Sequence, residues 1–130
     1  MTTITVYGSH SCHSSKKAIQ WFNDHDIQIK TQFINQTPIT REELIKFFSM
    51  SEDIYDIISP RSKLYKELSK TYNMNELSLN HLIALAIEHP TIVRKPIIFD
   101  GKQLLVGFNE DAIRAFIPRS KRILMSRSNH

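Results

Sequence analysis

One cysteine stands in the run Ser9-His10-Ser11-Cys12-His13-Ser14-Ser15-Lys16-Lys17. A thiol acts as a nucleophile in its thiolate form, which a helix N-terminus and nearby cations stabilise. The run follows an extended segment closed by Gly8 and precedes an apolar stripe of helical spacing, so Cys12 sits at the mouth of a helix. Lys16, Lys17, His10 and His13 bring positive charge close in sequence, and Ser15, three residues on, can turn its hydroxyl to the same sulfur. A lone cysteine is commonly a small buried hydrophobe. These polar neighbours point instead to an accessible, activated thiol. With serine at position 15 and no other cysteine, an internal disulfide is excluded. Oxidation of Cys12 then ends at sulfenic acid, a mixed disulfide or an intermolecular bridge.

Other chemistry is sparse. His10 and His13 flank Cys12, but no second cluster with ligand spacing follows, and His81 and His89 lie too far apart on one helix to share an ion. Gly8, Gly101 and Gly107 are scattered, so there is no glycine-rich phosphate loop. No metal and no cofactor is expected. Arg61 and Arg94 are the remaining candidates, although each type is commonly a plain surface charge. Arg94 precedes Lys95-Pro96, an X-Pro bond that enters a strand and is a plausible cis peptide. That placement predicts Arg94 beside the thiol, where a guanidinium holds an oxyanion or a thiolate.

The elements that must position these groups follow from periodicity. Thr2 to Tyr7 reads as a strand, and Ala18, Ile19, Trp21, Phe22 and His25 as a helix capped by Ser11 or Ser14. Ile27 to Ile34 alternates as a second strand, completing a βαβ unit with parallel strands. Residues 38 to 90 turn all-helical. Thr40-Arg41-Glu42-Glu43 is a capping box, and helical pieces follow over Ser51 to Ile58, Ser62 to about Tyr72, and Ser78 to His89. Ile97 to Phe99 and Leu104 to Val106 form a hairpin around Asp100-Gly101, and Asn109 caps a last helix, Glu110 to Ile117. The expectation is an α/β fold of thioredoxin-like type: a small mixed β-sheet, βαβ then ββα, with an all-helical insertion.

The 130 residues suit one domain, residues 1–118, followed by a tail over 119–130. Apolar residues at 41% and charged residues at 23% are ordinary for a soluble protein, and no stretch is long enough to span a membrane. The start lacks the pattern of a secretory signal, and a single cysteine agrees with a cytosolic setting. The net charge of +4 belongs to Arg119, Lys121, Arg122 and Arg127, because the rest of the chain carries 13 basic residues (17 less these four) against 13 acidic ones. A neutral body argues against a folded nucleic-acid surface. The tail reads as a solvated terminus, or else as an electrostatic handle for an acidic partner.

Taken together, Ser11-Cys12-His13-Ser14-Ser15-Lys16-Lys17-Ala18, Ser49-Met50-Ser51-Glu52-Asp53, Ile57-Ile58-Ser59-Pro60-Arg61-Ser62-Lys63, Glu88-His89-Pro90, Arg94-Lys95-Pro96-Ile97-Ile98 and Val106-Gly107-Phe108-Asn109-Glu110-Asp111 resemble the arsenate reductase/Spx family, and its Spx branch more closely. The resemblance runs colinearly over residues 3 to about 122. It implies a thioredoxin-like fold and a cytoplasmic bacterial protein. It also implies a regulator that binds the C-terminal domain of the RNA polymerase α subunit under thiol stress, with little base-specific DNA contact. Met50, Glu52, Asp53 and Ile54 then become the partner-binding candidates. The chain departs from the Spx pattern in carrying Cys12 and Ser15 where that branch has CxxC. It also has Ile54 after Glu52-Asp53, where a glycine is usual, in a run one residue shorter. The arsenate reductase branch is the alternative. Cys12 and Ser15 with Arg61 and Arg94 resemble its site, in which the cysteine attacks arsenate and glutathione or glutaredoxin resolves the adduct. That branch uses a third arginine in the last hairpin, absent from Gln103 to Phe108, and an arginine where Lys16 stands. Either branch allows a mixed disulfide of Cys12 with glutathione or a thiol protein.

Overall fold

The computed structural model describes residues 3–118 of the chain; the basic tail over 119–130 lies outside the described residues. In chain order the regular elements are β1 (Thr5–Gly8), α1 (His13–Asp24), β2 (Lys30–Phe33), α2 (Arg41–Ser49), α3 (Lys63–Leu68), α4 (Leu79–Glu88), β3 (Ile97–Phe99) and β4 (Leu104–Val106). Single 3₁₀ turns add Ile54–Asp56, Met74–Glu76, Pro90–Ile92 and Ala112–Phe116. The strands form one mixed sheet in the order β2-β1-β3-β4. β1 pairs parallel with β2 across the α1 crossover, while β3 runs antiparallel to both β1 and β4. This is the mixed sheet of thioredoxin-like type that the patterning predicts.

Strand alternation divides the core into two layers. Tyr7, Ile97, Leu104 and Val106 face the insertion, where they meet Leu44, Phe47, Ile57, Ile58, Leu82 and Ile92. Val6, Ile98 and Leu105 face the opposite way, onto Ala18 and Phe22 of α1 and onto Ile113, Phe116 and Ile117. The helical insertion therefore covers one face of the sheet, and α1 with the last 3₁₀ turn covers the other.

The insertion is fastened by polar contacts as well as by burial. The capping box at Thr40 forms in full, with the Glu43 N–H donating to Thr40 Oγ1 and the Thr40 N–H donating to Glu43 Oε1. The second carboxylate oxygen of Glu43 accepts from the Tyr7 hydroxyl, which ties the start of α2 to β1. Burial and that carboxylate together hold the Tyr7 phenol far above its ordinary range.

Several elements are shorter than the sequence predicts, each for a local reason. β2 is four residues rather than Ile27 to Ile34, because β1 offers four partners, Thr5 to Gly8. The helix expected over Ser51 to Ile58 is one 3₁₀ turn. There the Asp53 carboxylate accepts from the Tyr55 N–H and the Asp56 carboxylate accepts from the Asp53 N–H, so side chains compete with the helical ladder. Ser62 caps α3 as its spacing suggests, but the helix stops at Leu68, where the Ser69 hydroxyl donates back to the Tyr65 carbonyl. The last helix is the 3₁₀ turn Ala112–Phe116, whose buried Ile113 and Phe116 are three residues apart, as a threefold turn requires. Asn109 still serves its start, accepting from the Asp111 and Ala112 N–H groups.

Candidate functional site

Cys12 occupies the N-cap position of α1 with extended backbone, which displaces Ser11 and Ser14 from the expected capping role. The turn leading to it is closed by the Cys12 N–H donating to the Ser9 carbonyl at 3.2 Å, and the Lys16 N–H returns to the Cys12 carbonyl at 3.2 Å. The first N–H groups of α1 therefore open toward the loop that carries the sulfur. Cys12 is half-buried, and its thiol faces the carbonyl of Lys95 at 3.9 Å. The Lys95-Pro96 peptide is cis, as the sequence suggests.

Lys95 lines the same cleft as Cys12. Its half-buried ammonium donates to the Val93 carbonyl at 3.1 Å. Burial draws its pKa below the usual lysine range, and the electrostatic influence of Cys12 pulls the other way. Of the sequence-near cations, Lys16, Lys17 and His13 are exposed, and His10 stacks on Phe33 with centroids 3.6 Å apart.

Ser15 behaves differently from the expectation. It is fully buried, and its hydroxyl accepts from the Ser9 N–H at 3.3 Å instead of addressing the sulfur. The reason lies in the fit of α1 against β1. A Cβ at Gly8 would lie 2.7 Å from Ser15 Oγ and 2.8 Å from Ser15 Cβ, so position 8 is glycine because the helix start packs directly on its Cα.

Arg94 shares a cleft of about 260 Å³ with Cys12, lined also by Ser59, Ser62, Thr91, Lys95, Val106 and Gly107 among others. Its Nε, however, donates to the Tyr55 carbonyl at 2.7 Å, so the guanidinium is held toward the insertion and does not close on the thiol. Arg61 is exposed in the turn between Ser59 and Ser62 and is not part of the cleft wall. The two arginines singled out for oxyanion chemistry are thus not gathered around the sulfur.

A second cleft of about 440 Å³ adjoins the first. Met50, Glu52, Tyr55 and Asp56 line one side of it, Leu104 to Val106 the other, and Arg94 and Val106 belong to both clefts. Of the predicted partner residues, Met50 and Glu52 line this opening, while Asp53 spends its carboxylate on capping the 3₁₀ turn. Ile54 is partly buried and packs against the insertion core. Sequence reasoning missed Lys95 and Tyr55. Lys95 is visible next to Pro96 once Arg94 is singled out. Tyr55 has no motif, since its role depends on backbone partners far away in sequence.

No helix among the described residues is long and apolar enough to cross a membrane. Residues 7–116 match the model of the ArsC family. The global transcriptional regulator Spx of Streptococcus mutans is 43% identical over 120 residues, 92% of this chain and 86% of that protein. Global transcriptional regulator Spx 2 of Oceanobacillus iheyensis is 44% identical over 121 residues, with 92% and 87% covered. The solved arsenate reductase from Vibrio cholerae superposes with a TM-score of 0.78 at 20% identity over 89% of this chain and 98% of that one, a likeness of fold. With a thiol at the mouth of α1, a cis-proline loop opposite it and a helical insertion over one sheet face, the chain belongs to the ArsC family and is similar to Spx regulators over most of its length.

Proposed function

We propose that this protein is an Spx-type transcriptional regulator of the cytoplasm. It acts by docking on the C-terminal domain of the RNA polymerase α subunit and contacts DNA bases little. What carries the reading is the 43% identity over 120 residues with a protein named as a global transcriptional regulator. The geometry is in keeping with it: the open cleft beside Met50 and Glu52 sets apolar Leu104, Leu105 and Val106 against polar Glu52 and Asp56, a mixture of the kind a protein partner uses. Because Ser15 replaces a second cysteine, docking has no intramolecular disulfide to control it. Cys12 is left to form mixed disulfides with glutathione or a thiol protein. Titration of the chain against isolated α C-terminal domain tests this. Binding that is equal for the native chain and Cys12→Ser is the expected result, and absence of binding with Cys12 both reduced and oxidised overturns it.

The thiol enzyme is the second reading, and the Cys12-x-x-Ser15 spacing favours it. It requires Arg61 and Arg94 to close on an arsenate held at the sulfur, whereas Arg61 is exposed and Arg94 is bonded to Tyr55. Arsenate turnover with glutathione and glutaredoxin should therefore stay at background. Turnover that Cys12→Ser abolishes would reverse the ranking.

A further inference from the structure

The shortened turn over Glu52 to Asp56 is gripped from two directions, by Arg94 at a backbone carbonyl and through the hydroxyl of Tyr55. From the sheet side, Arg94 Nε donates to the Tyr55 carbonyl at 2.7 Å and the Arg94 N–H donates to the Ile57 carbonyl at 2.7 Å. The isolated bridge between Ile58 and Val93, with the Ser59 N–H donating to the Ile92 carbonyl at 2.7 Å, extends that grip into a short antiparallel seam. From the other side, the Tyr55 hydroxyl reaches the hydroxyl of Tyr65 at 3.1 Å and donates to Asn75 Oδ1, twenty residues downstream. Tyr55 is the residue common to the cleft beside Met50 and to a further cleft of about 500 Å³ lined by Tyr65, Tyr72 and Asn75. It is therefore pinned at its carbonyl by one segment and at its hydroxyl by another.

We infer that Arg94 and Tyr55 are positioning residues for the partner surface, a clamp that presets the Ile54–Asp56 turn before the partner arrives. This rests on the adaptor reading for the identity of the partner, though not for the clamp itself. The physical reason is that a three-residue 3₁₀ turn has little cooperative stability of its own. Its capping carboxylates, Asp53 and Asp56, are exposed, so local bonds alone leave the turn free to open. The guanidinium bond is charge-assisted and part-buried, and the phenol anchor adds a second fixed point. A surface ordered in advance binds more tightly because less freedom is lost on docking.

Three variants separate this role from general stability. Arg94→Met removes the grip on the carbonyl, Arg94→Lys keeps the charge and one donor, and Tyr55→Phe deletes only the hydroxyl anchor. Amide hydrogen exchange of Tyr55 to Ile58 is compared with that of β1 and β3, alongside affinity for the α C-terminal domain. In Arg94→Met the turn amides should exchange roughly tenfold faster, the change expected when a hydrogen bond to a charged group is lost. Core amides should hold their rates, Arg94→Lys should recover part of the protection, and Tyr55→Phe should fall between. Affinity for the α domain should drop in the same order. Turn amides that do not respond, or core amides that accelerate by the same factor, overturn the proposal. If the unaltered chain fails to bind the α domain, the adaptor reading falls, and the exchange comparison still decides the clamp.

Discussion

At Ser15 the molecule differs from a disulfide switch by a single atom, and the surroundings of that atom are closely fitted. The hydroxyl sits against Gly8 and accepts from the Ser9 N–H, three residues along the helix from Cys12. Ser15→Cys should fold, because the side chain gains only the difference between oxygen and sulfur. On mild oxidation it should lose both free thiols without forming dimers, as thiol titration and non-reducing electrophoresis would report. Persistence of both thiols would mean that the two side chains cannot reach the torsion a disulfide needs. The same fit predicts that Gly8→Ala destabilises by about 1–3 kcal/mol through overpacking, read by urea denaturation. Cys12 was legible in the sequence because its neighbours are polar and it follows a strand. The direction in which Ser15 points was not, since it depends on how closely two backbones approach.

The insertion is joined to the sheet through a few side chains, and Glu43 is the one with two duties. One carboxylate oxygen completes the cap of α2 and the other receives the Tyr7 hydroxyl from β1. Glu43→Ala removes both and leaves a buried phenol unpartnered, so it should cost about 2–3 kcal/mol in denaturant unfolding. Tyr7→Phe, which keeps the ring against Phe47, should cost about 1 kcal/mol. The Thr40 capping box and the Asp100-Gly101 hairpin were readable because each is set by residues within one turn of chain. The Ser51 to Ile58 segment was not. Its apolar spacing suits a helix, but Asp53 and Asp56 redirect its N–H groups, and its exit is captured by Val93. Arg94 was expected beside the thiol, but the carbonyl that attracts its Nε lies at Tyr55, 39 residues away in sequence.

For the molecule as a whole, alkaline pH is the revealing stress. Burial and hydrogen bonding push the Tyr65 phenol up to about 12 from its ordinary 10.0, and Tyr7 is raised as well. The folded state therefore keeps these protons after the unfolded chain has lost them. Their contribution is complete below pH 10 and is lost as pH rises toward 12. Lys95 acts in the opposite sense: its lowered pKa means that stability recovers as pH climbs through the window below 10.5. The thermal midpoint should accordingly fall above pH 10, with ionisation of Tyr7 and Tyr65 lagging until unfolding, and Tyr65→Phe should soften the fall. The wall shared by the two clefts, Arg94 and Val106, has a thermodynamic corollary. Linkage is reciprocal: if a group attached to Cys12 changes partner affinity by some factor, the partner must change the equilibrium for attaching that group by the same factor. Glutathione exchange at Cys12, measured with and without saturating α domain, should thus shift by the ratio of partner affinities for the modified and unmodified protein. A chain with no disulfide of its own would then report partner occupancy through the redox poise of one sulfur.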